Sequence, residues 1–147
     1  MKAPVRVPTA EEFAAYTGAH CHQLWKQVGP HWSCPCCRRS KFELLCWTKR
    51  TPGKCVPFGN WMAQLHEHHD HAPEAKCSRR FEALLICGQC NGADGVAKSK
   101  LKLPSHFSFT PGEISQFVTA TPHGRHGLDL DKARQIYESV KLMAQFF

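Results

Sequence analysis

The sequence predicts one α+β domain, in which a core of short strands, cysteine turns and a helix lies between helical segments at both ends. Three observations lead to this fold class: two C-x-x-C turns in the middle of the chain, short apolar runs of strand length near them, and helix-cap motifs towards each end. A length of 147 residues fits one domain, because ordinary domains contain about 100–200 residues. Within 1–147 we expect an N-terminal helical segment at 1–30, the core at 31–103 and a C-terminal helical appendage at 104–147.

The first half of the chain is expected to run from a helix into a hairpin. The capping-box pattern Thr9-Ala10-Glu11-Glu12 predicts a helix that continues to Val28. Residues 31–39 are too rich in turn formers to continue it. The apolar segment 42–47 follows and predicts a strand or hairpin, with its turn at 51–53.

The second half is expected to contain one more strand and then helices. Residues 81–86 form a short apolar run suited to a buried strand. A helix is expected after Asn91 and should stop before Pro104, because proline cannot continue a helix. The cap signature Thr110-Pro111-Gly112-Glu113 predicts another helix, and an amphipathic helix should begin at Asp131.

Composition excludes some classes of protein. With 42% hydrophobic and 21% charged residues the chain is a folded globular protein, and no apolar stretch approaches the ~18 residues that a membrane span needs. The N-terminal residues lack a signal peptide pattern, so we expect a cytoplasmic protein and no membrane partner. A formal net charge of +7 attracts polyanions such as nucleic acid, although a solvated surface would give the same charge.

The cysteines predict a structural zinc site. The chain has 9 cysteines, an odd number that fits a disulfide framework poorly in a protein without a secretion signal. Cys34 and Cys37 form one C-x-x-C turn and Cys87 and Cys90 the other, and two such turns complete a closed tetrahedral thiolate site. Cys36 could replace a neighbour in the first turn. The cysteines that remain besides these four ligands, expected to be mostly structural, are Cys21, Cys36, Cys46, Cys55 and Cys77.

A second cluster is rich in histidine. Residues 66–71 contain four histidines, and on an extended chain His69 and His71 lie on one face while His68 and Asp70 lie on the other. Neutral imidazole can take a proton from water or bind a metal ion. The cluster therefore predicts a catalytic or metal site, against the alternative of a solvated tract without a function.

The pattern around this cluster resembles a nuclease family. A strand ending in His68-His69-Asp70-His71, then a second strand and Leu84-Leu85-Ile86-Cys87-Gly88-Gln89-Cys90-Asn91, with Gly95 and Lys98 beyond, is similar to the HNH (His-Me finger, ββα-metal) endonucleases. Within that superfamily the likeness is closest to the phage recombination endonuclease VII type, and it covers about residues 34–102. The resemblance implies a zinc-stapled ββα-metal core.

The resemblance also implies roles for individual residues. His69 would be the general base that activates water, and His68 and Asn91 would hold a catalytic divalent ion that Asp94 could also approach. That ion would be magnesium, or manganese or nickel because His68 offers nitrogen. In an alternative register Asp70 is the metal ligand and His71 is the base.

The function that the resemblance implies is metal-dependent hydrolysis of phosphodiester bonds in DNA, with branched or junction DNA as a candidate substrate, in a bacterial or phage-infected cell. Junction resolution needs paired active sites and hence a homodimer, for which the helices after Leu103 could supply the interface; they could equally cap the core. The basic residues expected to hold DNA phosphates are Arg38, Arg39, Arg79, Arg80, Lys98 and Lys100.

Two other hypotheses remain open. In one, the chain is a non-catalytic four-cysteine zinc module that binds nucleic acid or protein. In the other, the histidines of residues 66–71 build a second zinc site together with Cys77. Asn91 directly after Cys90 favours the enzyme, because a structural zinc turn has no need of that asparagine.

Overall fold

The structure is a computed structural model that describes residues 5–50, 58–72 and 79–145. These residues form helices and two-stranded antiparallel sheets, which confirms the α+β class. The helices are α1 (Ala10–Ala15), α2 (His22–Gln27), α3 (Lys41–Leu44), α4 (Gly88–Leu101), α5 (Pro111–Phe117) and α6 (Leu130–Ala144). The strands are β1 (Cys46–Arg50), β2 (Phe58–Met62), β3 (Leu65–His68), β4 (Leu84–Cys87), β5 (Val118–Thr119) and β6 (Gly127–Leu128).

The N-terminal helical segment is broken where one continuous helix was expected. The capping box at Thr9 begins α1 as predicted, but the chain becomes extended at Tyr16, and Gly18 follows with φ at +81°. A Cβ atom on Gly18 would lie 2.4 Å from Cβ of Trp25, so only glycine allows Trp25 to pack there. The prediction of a helix running unbroken to Val28 is therefore wrong, and this turn lets Trp25 enter the core.

The first cysteine turn leads into a hairpin, but not directly. Ser40 caps the short helix α3 with a capping box, and only then does β1 begin. β1 and β2 pair antiparallel with Trp47 opposite Trp61. The expected hairpin is thus present, with part of the predicted strand 42–47 folded as helix, and the expected turn at 51–53 lies outside the described residues.

Strands β3 and β4 and helix α4 form the central unit. β3 pairs antiparallel with β4, with Leu65 opposite Cys87 and His68 opposite Leu84. α4 begins at Gly88, earlier than expected, because Cys87 Sγ accepts a hydrogen bond from the amide of Cys90 and caps the helix. The end of β3 and the start of α4 consequently lie next to the cysteine turns.

The C-terminal appendage packs onto this unit. Thr110 begins α5 with the predicted capping box, and α6 lies against both α4 and α5. Phe109 and Ile136 belong to the same apolar cluster as Ile86 of β4, so the appendage caps the core, as one of the two expectations proposed. The short ribbon of β5 and β6 was not foreseen. None of the helices in the described parts of the chain is long and apolar enough to cross a membrane.

Candidate metal sites and the histidine cluster

The two cysteine turns meet at one point. The sulfur atoms of Cys34, Cys37, Cys87 and Cys90 all lie within 4.8 Å of one another. Cys34 Sγ is 3.9 Å from Cys90 Sγ and Cys37 Sγ is 3.8 Å from Cys87 Sγ, close to the spacing of about 3.8 Å that tetrahedral Zn–S bonds of about 2.3 Å require. The predicted grouping is confirmed, and these four side chains could bind a structural metal such as zinc.

The crowded sulfurs shift one another's pKa values in both directions, since those of Cys34 and Cys37 fall while the bond with Cys34 raises those of Cys87 and Cys90. Hydrogen bonds from Cys36 and Cys37 hold the pKa of Cys34 far below its usual range. The pKa of Cys37 is raised by the bond with Cys34 but lowered by those with Cys87 and Cys90, and it falls to about 4. The bond with Cys34 raises the pKa of Cys36 to about 12, and Cys36 is not among the four cysteines whose sulfurs converge.

Arg39, expected to bind DNA, belongs to the cysteine site instead. Its side chain is buried, with 3% of its surface exposed. Nε donates to Cys37 Sγ at 3.3 Å and Nη2 to Cys87 Sγ at 3.6 Å, while Nη1 donates to the carbonyl oxygens of Thr121 and Gly124, both at 3.1 Å. The assignment of Arg39 to DNA is thus wrong, because all three guanidinium nitrogens face protein acceptors.

His126 is a second neighbour of the cysteine site that the sequence did not reveal. Its Nε2 lies 3.3 Å from Cys90 Sγ and 3.4 Å from Arg39 Nη2. Gln89 Oε1 accepts a hydrogen bond from the His126 amide at 2.9 Å, and Gln89 Nε2 donates to Gly124 at 3.1 Å. These contacts attach the segment 121–126 to the start of α4, and no motif in the sequence marks such a long-range contact.

The histidine cluster divides between two faces, as the extended chain predicts. His68 is 1% exposed and Asp70 is 7% exposed, whereas His69 and His71 are exposed. The rings of His69 and His71 lie side by side with their centroids 4.6 Å apart. Because His68 is buried while His66, His69 and His71 are exposed, the four imidazoles form no metal cluster among the described residues. Cys77, the fifth member of the predicted second zinc site, lies outside those residues.

His68 faces Asn91 with its ring nitrogen Nδ1. His68 Nε2 lies 2.7 Å from the carbonyl oxygen of Phe109, which can only accept, so the ring proton of neutral His68 sits on Nε2. The lone pair of Nδ1 then points at Asn91 Oδ1, 3.2 Å away, which is also an acceptor. Phe81 stacks on the His68 ring at 5.1 Å and fixes its orientation. With the ring proton on Nε2, either a cation between Nδ1 and Oδ1 or an Asn91 amide rotated to donate from Nδ2 would satisfy this half-buried pair.

Asp70 and Asp94, the two carboxylates that the sequence offers as ligands of the catalytic ion, have other partners. Asp70 accepts hydrogen bonds from the amides of Ala72 at 3.0 Å and Arg80 at 2.7 Å. Asp94 accepts from the amide of Phe109 at 2.8 Å and pairs with Lys98 at 3.0 Å. Both carboxylates therefore have protein partners on each of their oxygens, which argues against their assignment as metal ligands.

The basic residues fall into two groups. Arg38, Arg79 and Lys100 are exposed, as a role in DNA binding requires. Arg80 is exposed as well, and its Nη1 and Nη2 each lie 2.9 Å from a carboxylate oxygen of Glu113, so its role in DNA binding stays a prediction. The Lys98 side chain is 14% exposed, and its ammonium group pairs with the Asp94 carboxylate at 3.0 Å. Lys98 therefore lines the site and is not free to contact DNA.

Comparison of the chain with known protein families, with curated proteins and with solved structures found no match.

Proposed function

We propose that the chain is a metal-dependent DNA endonuclease of the HNH type, which hydrolyses phosphodiester bonds. The observation that carries the proposal is the pair His68 Nδ1 and Asn91 Oδ1, which lie 3.2 Å apart, with the exposed His69 directly after His68 in the chain. A module that only binds zinc through cysteine has no use for this second donor set. The pair lies at the junction of β3 and α4, next to the cysteine turns, as the ββα-metal resemblance implies.

His68 and Asn91 are the residues that would hold the catalytic ion, and nitrogen from His68 favours manganese or nickel over magnesium. When bound, such an ion stabilises the charge that develops on the phosphate during hydrolysis. Phe109 fixes the His68 tautomer through its carbonyl oxygen, as carbonyl partners commonly do for metal-binding histidines. His68 and Asn91 are therefore held in contact by the protein before a cation binds.

His69 is the general base of the proposal. Its ring is exposed, and it lies one residue after His68 on the opposite face, so it can reach a water molecule without displacing a metal ligand. His69 takes a proton from water as the water oxygen bonds to phosphorus, and the bond from phosphorus to the leaving oxygen breaks. The leaving oxygen then takes a proton from solvent. Asp70 is engaged by two backbone amides, which favours the register with His69 as base over the one with His71.

A cleavage assay tests the proposal. The zinc-loaded chain is incubated with a four-way junction, a single strand and a duplex of related sequence, each with magnesium, manganese or nickel. His69→Ala should lower the cleavage rate by about 10²–10⁴-fold, as expected when a general base is lost, with zinc content unchanged. His66→Ala is the matched control, because His66 is an exposed histidine of β3 whose ring contacts Gln64.

The outcomes separate the alternatives. Unchanged cleavage by His69→Ala together with loss of cleavage by His71→Ala would move the base to His71. A wild-type chain that cleaves none of the substrates with any of the ions would overturn the enzyme hypothesis in favour of the non-catalytic zinc module. Comparing the four-way junction with the duplex, alongside the mass of the protein in solution, tests junction resolution by a homodimer.

A further inference from the structure

The linker between α4 and α5 contacts both faces of the histidine cluster. The carbonyl oxygen of Phe109 accepts a hydrogen bond from His68, and the hydroxyl of the preceding Ser108 contacts His71. Ser108 Oγ lies 2.7 Å from His71 Nδ1 and accepts a hydrogen bond from the His71 amide at 3.1 Å. Ser108 is 1% exposed and Phe109 is fully buried. Two adjacent residues of the appendage thus each support one imidazole.

This linker is held from several directions. Asp94 of α4 accepts a hydrogen bond from the Phe109 amide at 2.8 Å. Arg80 donates to the carbonyl oxygen of Ser108 at 2.6 Å while it pairs with Glu113 of α5. The Asp94 contact is buried and the contact of Arg80 with Ser108 is partly buried, and charge-assisted hydrogen bonds of this kind hold a backbone segment in one position. The Ser108 hydroxyl is therefore a fixed partner for His71.

The contact decides where the ring proton of His71 lies. Among the described residues, Nδ1 of His71 is the acceptor available to the Ser108 hydroxyl proton. A proton on Nδ1 would leave that buried hydroxyl proton unsatisfied, which costs about 1–3 kcal/mol. The hydroxyl accordingly donates to Nδ1, and the proton of neutral His71 sits on Nε2. No described residue forms a hydrogen bond with Nε2 of this exposed ring.

His71 is also disposed to stay neutral. Partial burial, followed by the positive charges of Lys98 and His69, lowers the pKa of His71 below its usual value, while the carboxylate of Asp94 acts in the opposite direction. A neutral imidazole holds its remaining proton tightly, so it can donate a hydrogen bond without transferring the proton. This suits a group that stabilises negative charge next to a base.

We propose that Ser108 is a positioning residue that fixes the tautomer of His71, so that His71 Nε2–H donates a hydrogen bond to a non-bridging oxygen of the substrate phosphate. The inference rests on the proposed function and divides the work between two neighbouring rings, whose centroids lie 4.6 Å apart. His69 removes a proton from water, and His71 stabilises the charge on the phosphate oxygen. The C-terminal appendage thereby completes the site.

The tautomer can be measured without any nuclease activity. The zinc-loaded full chain is labelled with ¹⁵N-histidine, and the two ring nitrogens of His71 are assigned by NMR. We expect the proton of neutral His71 on Nε2 in the wild type, and a mobile ring without a fixed Nδ1 hydrogen bond in Ser108→Ala. Ser115→Ala is the matched control, because the Ser115 hydroxyl bonds to Gly112 within α5. A wild-type His71 with its proton on Nδ1 would overturn the inference.

A double-mutant cycle tests whether Ser108 acts through His71. Ser108→Ala should lower kcat by about tenfold with KM little changed, because a misplaced donor is lost mainly from the transition state. In a His71→Gln background the same change should have no further effect. An equal loss in both backgrounds would mean that Ser108 acts only on stability, contrary to the inference.

The two proposals fail in different ways. A wild-type chain that cleaves no DNA would overturn the proposed function and the phosphate contact of His71 with it. The NMR result would still support or refute the tautomer that Ser108 imposes.

Discussion

Replacing Arg39 with methionine should release the C-terminal segment 121–126 from the cysteine site. The guanidinium joins the two, since it donates to sulfur on one side and to the carbonyl oxygens of Thr121 and Gly124 on the other. Methionine fills a similar volume but provides no donor and no charge. The sulfurs and the carbonyl oxygens would then stay buried without their partner.

The size of the effect follows from burial. Arg39 is 3% exposed, and removing one partner of a buried, hydrogen-bonded ion pair costs about 3–5 kcal/mol. Burial alone would lower the pKa of Arg39, but the hydrogen bond with Cys37 and the charge of Cys87 raise it overall, so the guanidinium is charged throughout the working range. For a domain of this size about 1 kcal/mol corresponds to about 2–4 °C, so the melting temperature should fall by roughly 10 °C.

Thermal unfolding of the zinc-loaded protein, followed by circular dichroism, measures this change. Arg38→Met is the matched control, because Arg38 is the exposed neighbour and should alter the melting temperature little. In a DNA-binding assay the order should reverse. Arg38→Met should lower the affinity for DNA and make that affinity less dependent on salt concentration, whereas Arg39→Met should change neither. Equal melting temperatures for Arg39→Met and the wild type would refute the reasoning.

Three further changes test the packing. Gly59→Ala should destabilise the β1–β2 hairpin by about 1–3 kcal/mol, since a Cβ atom there would lie 2.4 Å from the Trp47 ring; urea unfolding measures it. Gly92→Ala, at a position in α4 with nothing within 4 Å, should instead stabilise the protein by about 0.5–1 kcal/mol in the same assay. Tyr16→Phe should cost about 1–3 kcal/mol, because the hydroxyl bonds to both the amide and the carbonyl of buried Ala63. Burial raises the pKa of Tyr16. The extra stability of the wild type over Tyr16→Phe should therefore be present in full below about pH 10 and be lost as the pH rises through the higher pKa of the folded state.

Local signals in the sequence predicted many of the elements. The capping boxes at Thr9 and Thr110 begin helices as expected, and the two C-x-x-C turns meet. These features depend on residues close together in sequence, or on a ligand chemistry that admits few arrangements. The break at Gly18 was missed because it depends on where Trp25 packs, which a local pattern does not contain.

Within the site, residue type predicted candidates but not their partners. Alternation along the chain correctly separated His68 from His69 and His71. Arg39 was assigned to DNA because arginine beside a cysteine turn looks like an exposed cation, and its burial depends on the distant segment 121–126. Ser108 carries no motif, and its contact with His71 arises only when the appendage packs against α4.

The central claim is that the chain has two metal sites with separate tasks, a cysteine site that holds the fold and a His68–Asn91 site that serves catalysis. Titration of the zinc-loaded chain with Mn²⁺, followed by electron paramagnetic resonance, tests it most directly. The wild type should bind Mn²⁺ while keeping its zinc, and Asn91→Ala should bind Mn²⁺ at least about tenfold more weakly with zinc content unchanged. A wild type that binds no Mn²⁺, or an Asn91→Ala variant with the same affinity, would contradict it.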